Sequence, residues 1–243
     1  MKSINSFYSI NFDNNKRNKS EIKYLIFHYT GMRSEESAIK RLCDLSSKVS
    51  CHYFIKKDGS ILNLVPDKYI SWHAGISSWK KLRNINKYSI GIEIHNPGHI
   101  YGYKNFNKRQ FKSIKYLSKK LKKKYKFKEK NFLGHSDISP DRKKDPGEKF
   151  PWEKLSKHQI GIWHSMKRSL LKRSRLKEID SIKKKIFLNC LIKIGYRFNK
   201  KNPNSIFIIV KTFQRRFRPQ KINGKIDLEC LIIAKNLIQL GIY

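Results

Sequence analysis

Three side chains in this sequence belong to residue types that bind metal ions. His28 ends an apolar run, His135 follows Leu133 and Gly134 at the end of another, and Asp145 lies further along the chain. Two imidazoles and a carboxylate brought together from strand ends can ligate Zn²⁺ and leave a fourth position for water. The pattern also fits two hydrogen-bonded core histidines. No His-Glu-x-x-His pattern supports a helix-borne metalloprotease site.

Two further residues could assist hydrolysis at such a metal. Glu93 lies within the apolar sequence SIGIEIH (89–95), where a carboxylate costs free energy unless it is paired or faces a cleft. It could act as a general base towards a metal-bound water, or it could form a buried ion pair with a lysine. Lys143, two residues before Asp145, could stabilise an oxyanion near the metal.

The segments that carry these residues are predicted to be strands. Apolar runs at 22–29, 89–95 and 131–135 are typical of buried strands, and Asp58-Gly59 predicts a hairpin within 52–65. Ser34 and Asn107 are candidate N-caps of two amphipathic helices. Strands that alternate with helices, interrupted by a hairpin, predict an α/β domain with a mixed sheet flanked by helices.

The composition and the pattern of the sequence change after residue 155. Residues 160–225 contain 19 Lys or Arg and 2 Asp or Glu, and three helical patterns follow one another to the end of the chain. Asn202-Pro203 is predicted to open the second of these helices, and Asp227 is predicted to cap the third. We therefore predict a domain at 1–155, a basic connector at 156–177, and a small all-α three-helix domain at 178–243.

The charge of the whole chain is extreme for its length. The 243 residues carry 55 Lys or Arg against 18 Asp or Glu, a net charge of +37. This indicates attraction to a polyanion such as nucleic acid, anionic lipid or cell wall. The 42 Lys, 32 Ile and 18 Asn against 3 Ala also fit a compositional bias at tolerant surface positions. No apolar run reaches the roughly 20 residues of a membrane span, so the sequence predicts no transmembrane segment.

The start of the chain and its cysteines give weaker indications. Residues 1–11 contain neither a continuous apolar stretch nor a small-residue cleavage site, so no signal peptide is predicted and the cytoplasm is favoured. The four cysteines form no Cys-x-x-Cys pair and match no zinc ribbon, which favours buried free thiols. One disulfide between distant cysteines is the alternative.

Several blocks, in a fixed order, resemble a known family. They are IFHYTG (26–31), SCHYFIKKDGSILNLV (50–65), WHAG (72–75), SIGIEI (89–94) and GHSDISPDRKKDPGEKFPW (134–152). The chain from about residue 12 to residue 152 thereby resembles the zinc-dependent N-acetylmuramoyl-L-alanine amidases of the AmpD/AmiD type. The resemblance implies an active enzyme that cleaves the amide between N-acetylmuramic acid and L-alanine in peptidoglycan or anhydro-muropeptides.

The resemblance also implies a role for individual residues. Three match the family's zinc ligands: His28, His135 and Asp145. Glu93 matches its catalytic acid and Lys143 its transition-state-stabilising lysine. The residues expected to bind substrate are Tyr29, His73, Trp79 and Asn84. For His73 and Trp79 the alternative is that they are loop residues that pack on the sheet.

The C-terminal segment resembles a second family. FQRRFRPQKINGKID (213–227) is similar to the repeat core of peptidoglycan-binding domain 1, a three-helix module. A wall-binding module would favour the cell envelope over the cytoplasm as the site of action. The alternatives from another class are a non-catalytic peptidoglycan-binding protein and a basic nucleic-acid binder, although no nucleic-acid motif is present. We expect a monomer whose partner is peptidoglycan or a muropeptide.

Overall fold

A six-stranded mixed sheet lies at the centre of the structure, a computed structural model that describes residues 3–4 and 8–241. Its strand order is β1-β5-β4-β9-β3-β10, and every neighbouring pair is parallel except β4 and β5, which form the predicted antiparallel hairpin. The strands span β1 Ser3–Ile4, β3 Tyr24–Tyr29, β4 Tyr53–Ile55, β5 Ile61–Asn63, β9 Ser89–Ile94 and β10 Phe132–Gly134. Two small antiparallel pairs join β2 Phe12–Asp13 to β6 Ile70–Ser71 and β7 Ser78–Trp79 to β8 Leu82–Arg83.

Helices cover this sheet, and the predicted caps start two of them. They are α1 Glu35–Cys43, α2 Lys108–Tyr125, α3 His135–Ile138 and α4 Trp152–Ser156. The Ser34 side chain accepts the Ser37 N–H ahead of α1, and the Asn107 side chain accepts the Gln110 N–H ahead of α2. The predicted mixed sheet flanked by helices is therefore confirmed.

Alternation along β3 and β9 separates the core from the face that carries polar side chains. Leu25 and Phe27 share one apolar cluster with Ile92 and Ile94 and with the inner face of α2. The intervening side chains of the same strands, including His28 and Glu93, project to the opposite face because successive strand residues alternate. The pairing of β3 with β9 sets His28 directly beside Glu93.

The C-terminal region is helical, as predicted, and packs on the same sheet. It contains α5 Arg168–Ser174, α6 Ser181–Ile194, α7 Ser205–Phe217 and α8 Leu228–Gln239. Phe187, Phe213 and Leu237 of these helices belong to one continuous apolar cluster with Ile26 of β3 and Leu133 of β10. The apolar faces of these helices would be exposed to water if the helices were separated from the sheet. They therefore pack directly against the sheet.

One local prediction in this region is wrong, and the segment before it has a structured part. The second helix begins at Ser205 rather than at Pro203, because the Asn202 side chain accepts the Asn204 N–H in a turn that precedes the helix. The segment predicted as a basic connector contains α5, whose Leu171 is buried and whose Arg175 pairs with the buried Glu229. Asp227 caps α8 as predicted.

No helix within residues 3–4 and 8–241 is long and apolar enough to cross a membrane. All four cysteines are free thiols, three of them buried and Cys43 half-buried.

Candidate metal centre and active site

The three predicted ligands meet at the carboxyl ends of the central strands. His28 Nδ1 lies 2.9 Å from His135 Nδ1 and 3.1 Å from Asp145 Oδ2, and His135 Nδ1 lies 3.0 Å from the same oxygen. All three residues are buried. Ligand atoms about 2.0–2.1 Å from a tetrahedral zinc lie about 3.3 Å apart, so this near-equilateral triangle is close in size to one face of such a site, with slightly shorter sides.

The ring nitrogens that point away from this group make hydrogen bonds that show which nitrogen of each imidazole carries the proton. The Ser89 hydroxyl donates to the Ile85 carbonyl, so it accepts from His73 Nε2–H, and His73 Nδ1 then accepts from His28 Nε2–H. His135 Nε2–H donates to the Ala74 carbonyl. Each neutral imidazole carries one proton, so Nδ1 of both His28 and His135 presents a lone pair to the other and to Asp145. Three hydrogen-bond acceptors that face one another have no proton to share, but each can give a lone pair to a cation. The residues present therefore fit a metal ion.

Burial and neighbouring charge shift the pKa values of two of the three residues, His28 and Asp145, towards their ligating protonation states. Burial, reinforced by the neighbouring His135, lowers the pKa of His28 to about 4. The Asp145 carboxyl is also buried, which opposes ionisation, but contact with His135 and His28 holds its pKa well below the usual range. At neutral pH His28 is neutral and Asp145 is charged, as metal ligation requires.

A cavity of about 430 Å³ opens onto this group. Glu93 and Lys143 line it together with His135 and Asp145, and Tyr29 forms part of its rim. The Tyr29 hydroxyl lies 2.9 Å from His99 Nδ1, and burial is the main reason that the pKa of Tyr29 is raised to about 12. The predicted catalytic pair thus shares one cavity wall with two of the predicted ligands, His135 and Asp145, while His28 lies behind them.

Glu93 has the environment of a proton carrier. Its Oε2 is buried without a hydrogen-bond partner, so the alternative of an ion pair with a lysine does not account for that atom. Burial and the nearby Asp145 charge raise the pKa of Glu93 to about 8, with the Lys143 charge acting in the opposite direction. A carboxyl whose pKa lies near neutrality can both accept and return a proton.

His73 lines the cavity, but its ring is committed to the ligand His28. Both of its nitrogens are hydrogen-bonded, and the residue is buried. Its ring occupies the space where a Cβ of Gly91 would lie, so glycine at this strand position admits the imidazole. This positioning role of His73 was not predicted from the sequence. The small residue in the middle of SIGIEIH was the available signal.

Two predicted substrate-binding residues lie elsewhere. The Trp79 ring is 2% exposed and packs edge-to-face on Tyr196, with centroids 5.1 Å apart, so it joins the sheet domain to the C-terminal helices instead of lining a groove. Asn84 is exposed, has left-handed backbone geometry, and lies outside the residues that line the cavity.

Comparison with known proteins agrees with this geometry. A family model described as N-acetylmuramoyl-L-alanine amidase matches residues 18–148. The N-acetylmuramoyl-L-alanine amidase AmiD of Escherichia coli (strain K12) is 33% identical over 234 residues, which cover 90% of this chain and 83% of AmiD. The 1,6-anhydro-N-acetylmuramyl-L-alanine amidase AmpD of the same strain is 36% identical over 108 residues, which cover 44% of this chain and 57% of AmpD.

Two solved structures resemble the chain over nearly its whole length. The E. coli AmiD complex with anhydro-N-acetylmuramic acid-L-Ala-D-γ-Glu-L-Lys has a TM-score of 0.80 and 30% identity, covering 98% of this chain and 93% of AmiD. Pseudomonas aeruginosa AmpDh3 in complex with an anhydromuramic pentapeptide has a TM-score of 0.79 and 26% identity, covering 100% and 99%. The family match includes all three residues of the ligand group, and the chain belongs to the N-acetylmuramoyl-L-alanine amidase family.

Proposed function

We propose that this amidase uses a zinc ion held by His28, His135 and Asp145 to hydrolyse the N-acetylmuramoyl-L-alanine bond of muropeptides. The observation that carries the proposal is the triangle of three lone-pair atoms, 2.9–3.1 Å apart, whose members His135 and Asp145 line a cavity together with Glu93 and Lys143. The AmiD and AmpDh3 structures hold anhydromuramic peptides. We therefore propose the same ligand class for this cavity.

Each residue of the cavity has a distinct part in the reaction. A zinc ion at the three ligands would lower the pKa of a water molecule and polarise the scissile carbonyl. Glu93 accepts a proton from the attacking water and returns it to the alanine nitrogen as the C–N bond breaks. The Lys143 ammonium stabilises the negative charge that develops on the carbonyl oxygen. Tyr29 at the rim orients the substrate.

Digestion of a defined substrate tests the proposal. Purified protein incubated with an anhydro-muropeptide should release the free stem peptide, identified by mass spectrometry. A strong chelator should abolish release because the water and the carbonyl lose their activating cation, and added zinc should restore it. Undiminished release by protein that contains no metal after chelation would contradict the zinc assignment, and no release under any metal loading would contradict the proposed substrate.

The helical region is proposed to add a second contact with peptidoglycan. The resemblance of residues 213–227 to a wall-binding module supports this, and so does a cavity of about 640 Å³ between α4, α5 and the end of α7. The Trp163 ring and the cations Arg168 and Lys172 line this cavity. Aromatic rings pack on sugars, and cations attract the carboxylates of stem peptides.

Pelleting with purified peptidoglycan sacculi tests this second contact. The double variant Arg168→Glu/Lys172→Glu should leave more protein in the supernatant because it reverses two exposed charges at the cavity. The control Lys112→Glu/Lys120→Glu makes the same change of net charge on the exposed side of α2 and should pellet like wild type. Equal loss in both variants would show that bulk charge, and not this cavity, governs wall binding.

A further inference from the structure

The Asp137 carboxylate lies where the strand β10 turns into the ligand-bearing helix α3. Asp137 follows the ligand His135 by two residues and is 2% exposed. Its Oδ2 accepts the Gly134 N–H at 2.8 Å, which fixes the chain at the residue immediately before His135. The carboxylate therefore holds the backbone angle from which the His135 side chain projects.

Two residues of the C-terminal region hold this carboxylate from the other side. The Tyr196 hydroxyl donates to Asp137 Oδ1 at 2.7 Å, and Arg216 Nη1 forms a short, buried ion pair with Oδ2. Arg216 Nη2 donates to the Phe132 carbonyl at 3.0 Å, and the guanidinium lies 4.1 Å from the centre of the Trp152 ring. One guanidinium from α7 thus binds both the strand that leads to the ligand and the helix that carries it.

The same segment is attached to the third ligand. The Ser136 N–H donates to the Asp145 carbonyl oxygen at 2.8 Å. Pro146 packs against Gly134 in the space that a Cβ would take. A displacement of the segment 134–137 therefore moves His135 and Asp145 relative to His28.

We propose that Arg216 and Tyr196 are positioning residues for the metal centre, so that the C-terminal helices complete the site that the sheet domain carries. This inference rests on the proposed metal site. The physical basis is the buried pair itself, with side chains 4% and 1% exposed. Removing the guanidinium leaves the Asp137 charge buried and uncompensated, which forces the carboxylate and its helix to rearrange.

The test compares Arg216→Gln with Arg218→Gln. Arg218 is equally buried on the same chain segment, but its ion pairs reach Asp227 and Glu229 within the helical region. Zinc affinity is measured by competition with a chromophoric chelator, the geometry by the visible spectrum of the cobalt(II)-loaded protein, and stability by thermal unfolding. We expect about a 10-fold weaker affinity and an altered cobalt spectrum for Arg216→Gln, as for the loss of an outer partner of a ligand. Arg218→Gln should lower the unfolding temperature and leave affinity and spectrum as in wild type.

Tyr196→Phe keeps the ring that packs on Trp79 and removes only the hydroxyl, so it decides the question if Arg216→Gln does not fold. A smaller loss of affinity in the same direction is expected. Wild-type affinity and spectrum in the folded Arg216→Gln or Tyr196→Phe protein would overturn the inference, and so would an equal loss in Arg218→Gln. A wild-type protein that binds no metal would instead overturn the proposed function on which the inference rests.

Discussion

Glu93→Gln should lower kcat for muropeptide hydrolysis by about 10²- to 10⁴-fold, the usual contribution of a positioned general base. Glutamine keeps the shape of the side chain but cannot accept the proton of the attacking water. Because Glu93 is not one of the three proposed ligands, zinc content measured by atomic absorption should stay at the wild-type level. Loss of activity at full metal content separates proton transfer from metal binding.

A matched control for this variant is Glu129→Gln. Glu129 pairs with Lys122 at the surface, in a turn outside the cavity, and its replacement should leave kcat within a few-fold of wild type. A Glu93→Gln protein with an unaltered rate would show that another group takes the proton.

Asp145→Ala should remove the metal itself. The change deletes the anionic member of the triangle and leaves two neutral imidazoles, His28 and His135, as the remaining donors. We expect zinc affinity to fall by more than the 10- to 100-fold that the loss of an outer partner costs, with hydrolysis falling to background. Chelator competition measures the affinity, and the digestion assay measures the rate.

Asp141→Ala is the control in the same loop. Asp141 is exposed, and its carboxylate contacts Asn202 at 3.2 Å instead of the ligand group. This variant should bind zinc as wild type does. Stoichiometric, tightly bound zinc in Asp145→Ala would contradict the ligand assignment.

The variants Glu93→Gln, Asp145→Ala and Arg216→Gln probe different layers of one site. Glu93→Gln changes the proton carrier, Asp145→Ala changes a ligand, and Arg216→Gln changes the support behind a ligand. Glu93→Gln should lose catalytic rate alone, and Asp145→Ala should lose both bound metal and rate. Arg216→Gln should lose part of the metal affinity and show an altered metal geometry.

The elements of the sheet domain could be predicted from the sequence because their signals are local. Apolar runs, helix caps and the Asp58-Gly59 turn depend on residues that are close together in the sequence. Ser34 and Asn107 cap helices of this domain as predicted, and Asp227 does the same in the C-terminal region. The sequence also placed His28 and Glu93 in predicted strands, and the structure pairs those two strands in parallel, so that the two side chains share a face. The ordered motifs added the family.

The residues that hydrogen-bond to or pack on these side chains could not be predicted from local sequence patterns. The hydrogen bond between His73 and His28 depends on the close packing of the His73 ring on Gly91 of β9, and these two residues are distant in sequence. Trp79 was expected in a groove and lies in a core because Tyr196, more than a hundred residues away, covers it. Buried contacts between distant segments have no sequence period to reveal them.

The C-terminal segment illustrates the same division. Its sequence determined three helices and a motif, FQRRF, whose residues the structure buries. Only the tertiary structure decided that Gln214 accepts the N–H groups of Asn223 and Gly224, while Arg216 reaches across to Asp137. The sequence by itself thus determined the elements, the ligand types and the family, since these follow from local propensity and residue chemistry. The pairing of the buried charges was decided by the packing of the helices on the sheet. A charge needs a partner only once it is buried, and it is buried only after distant segments have excluded water.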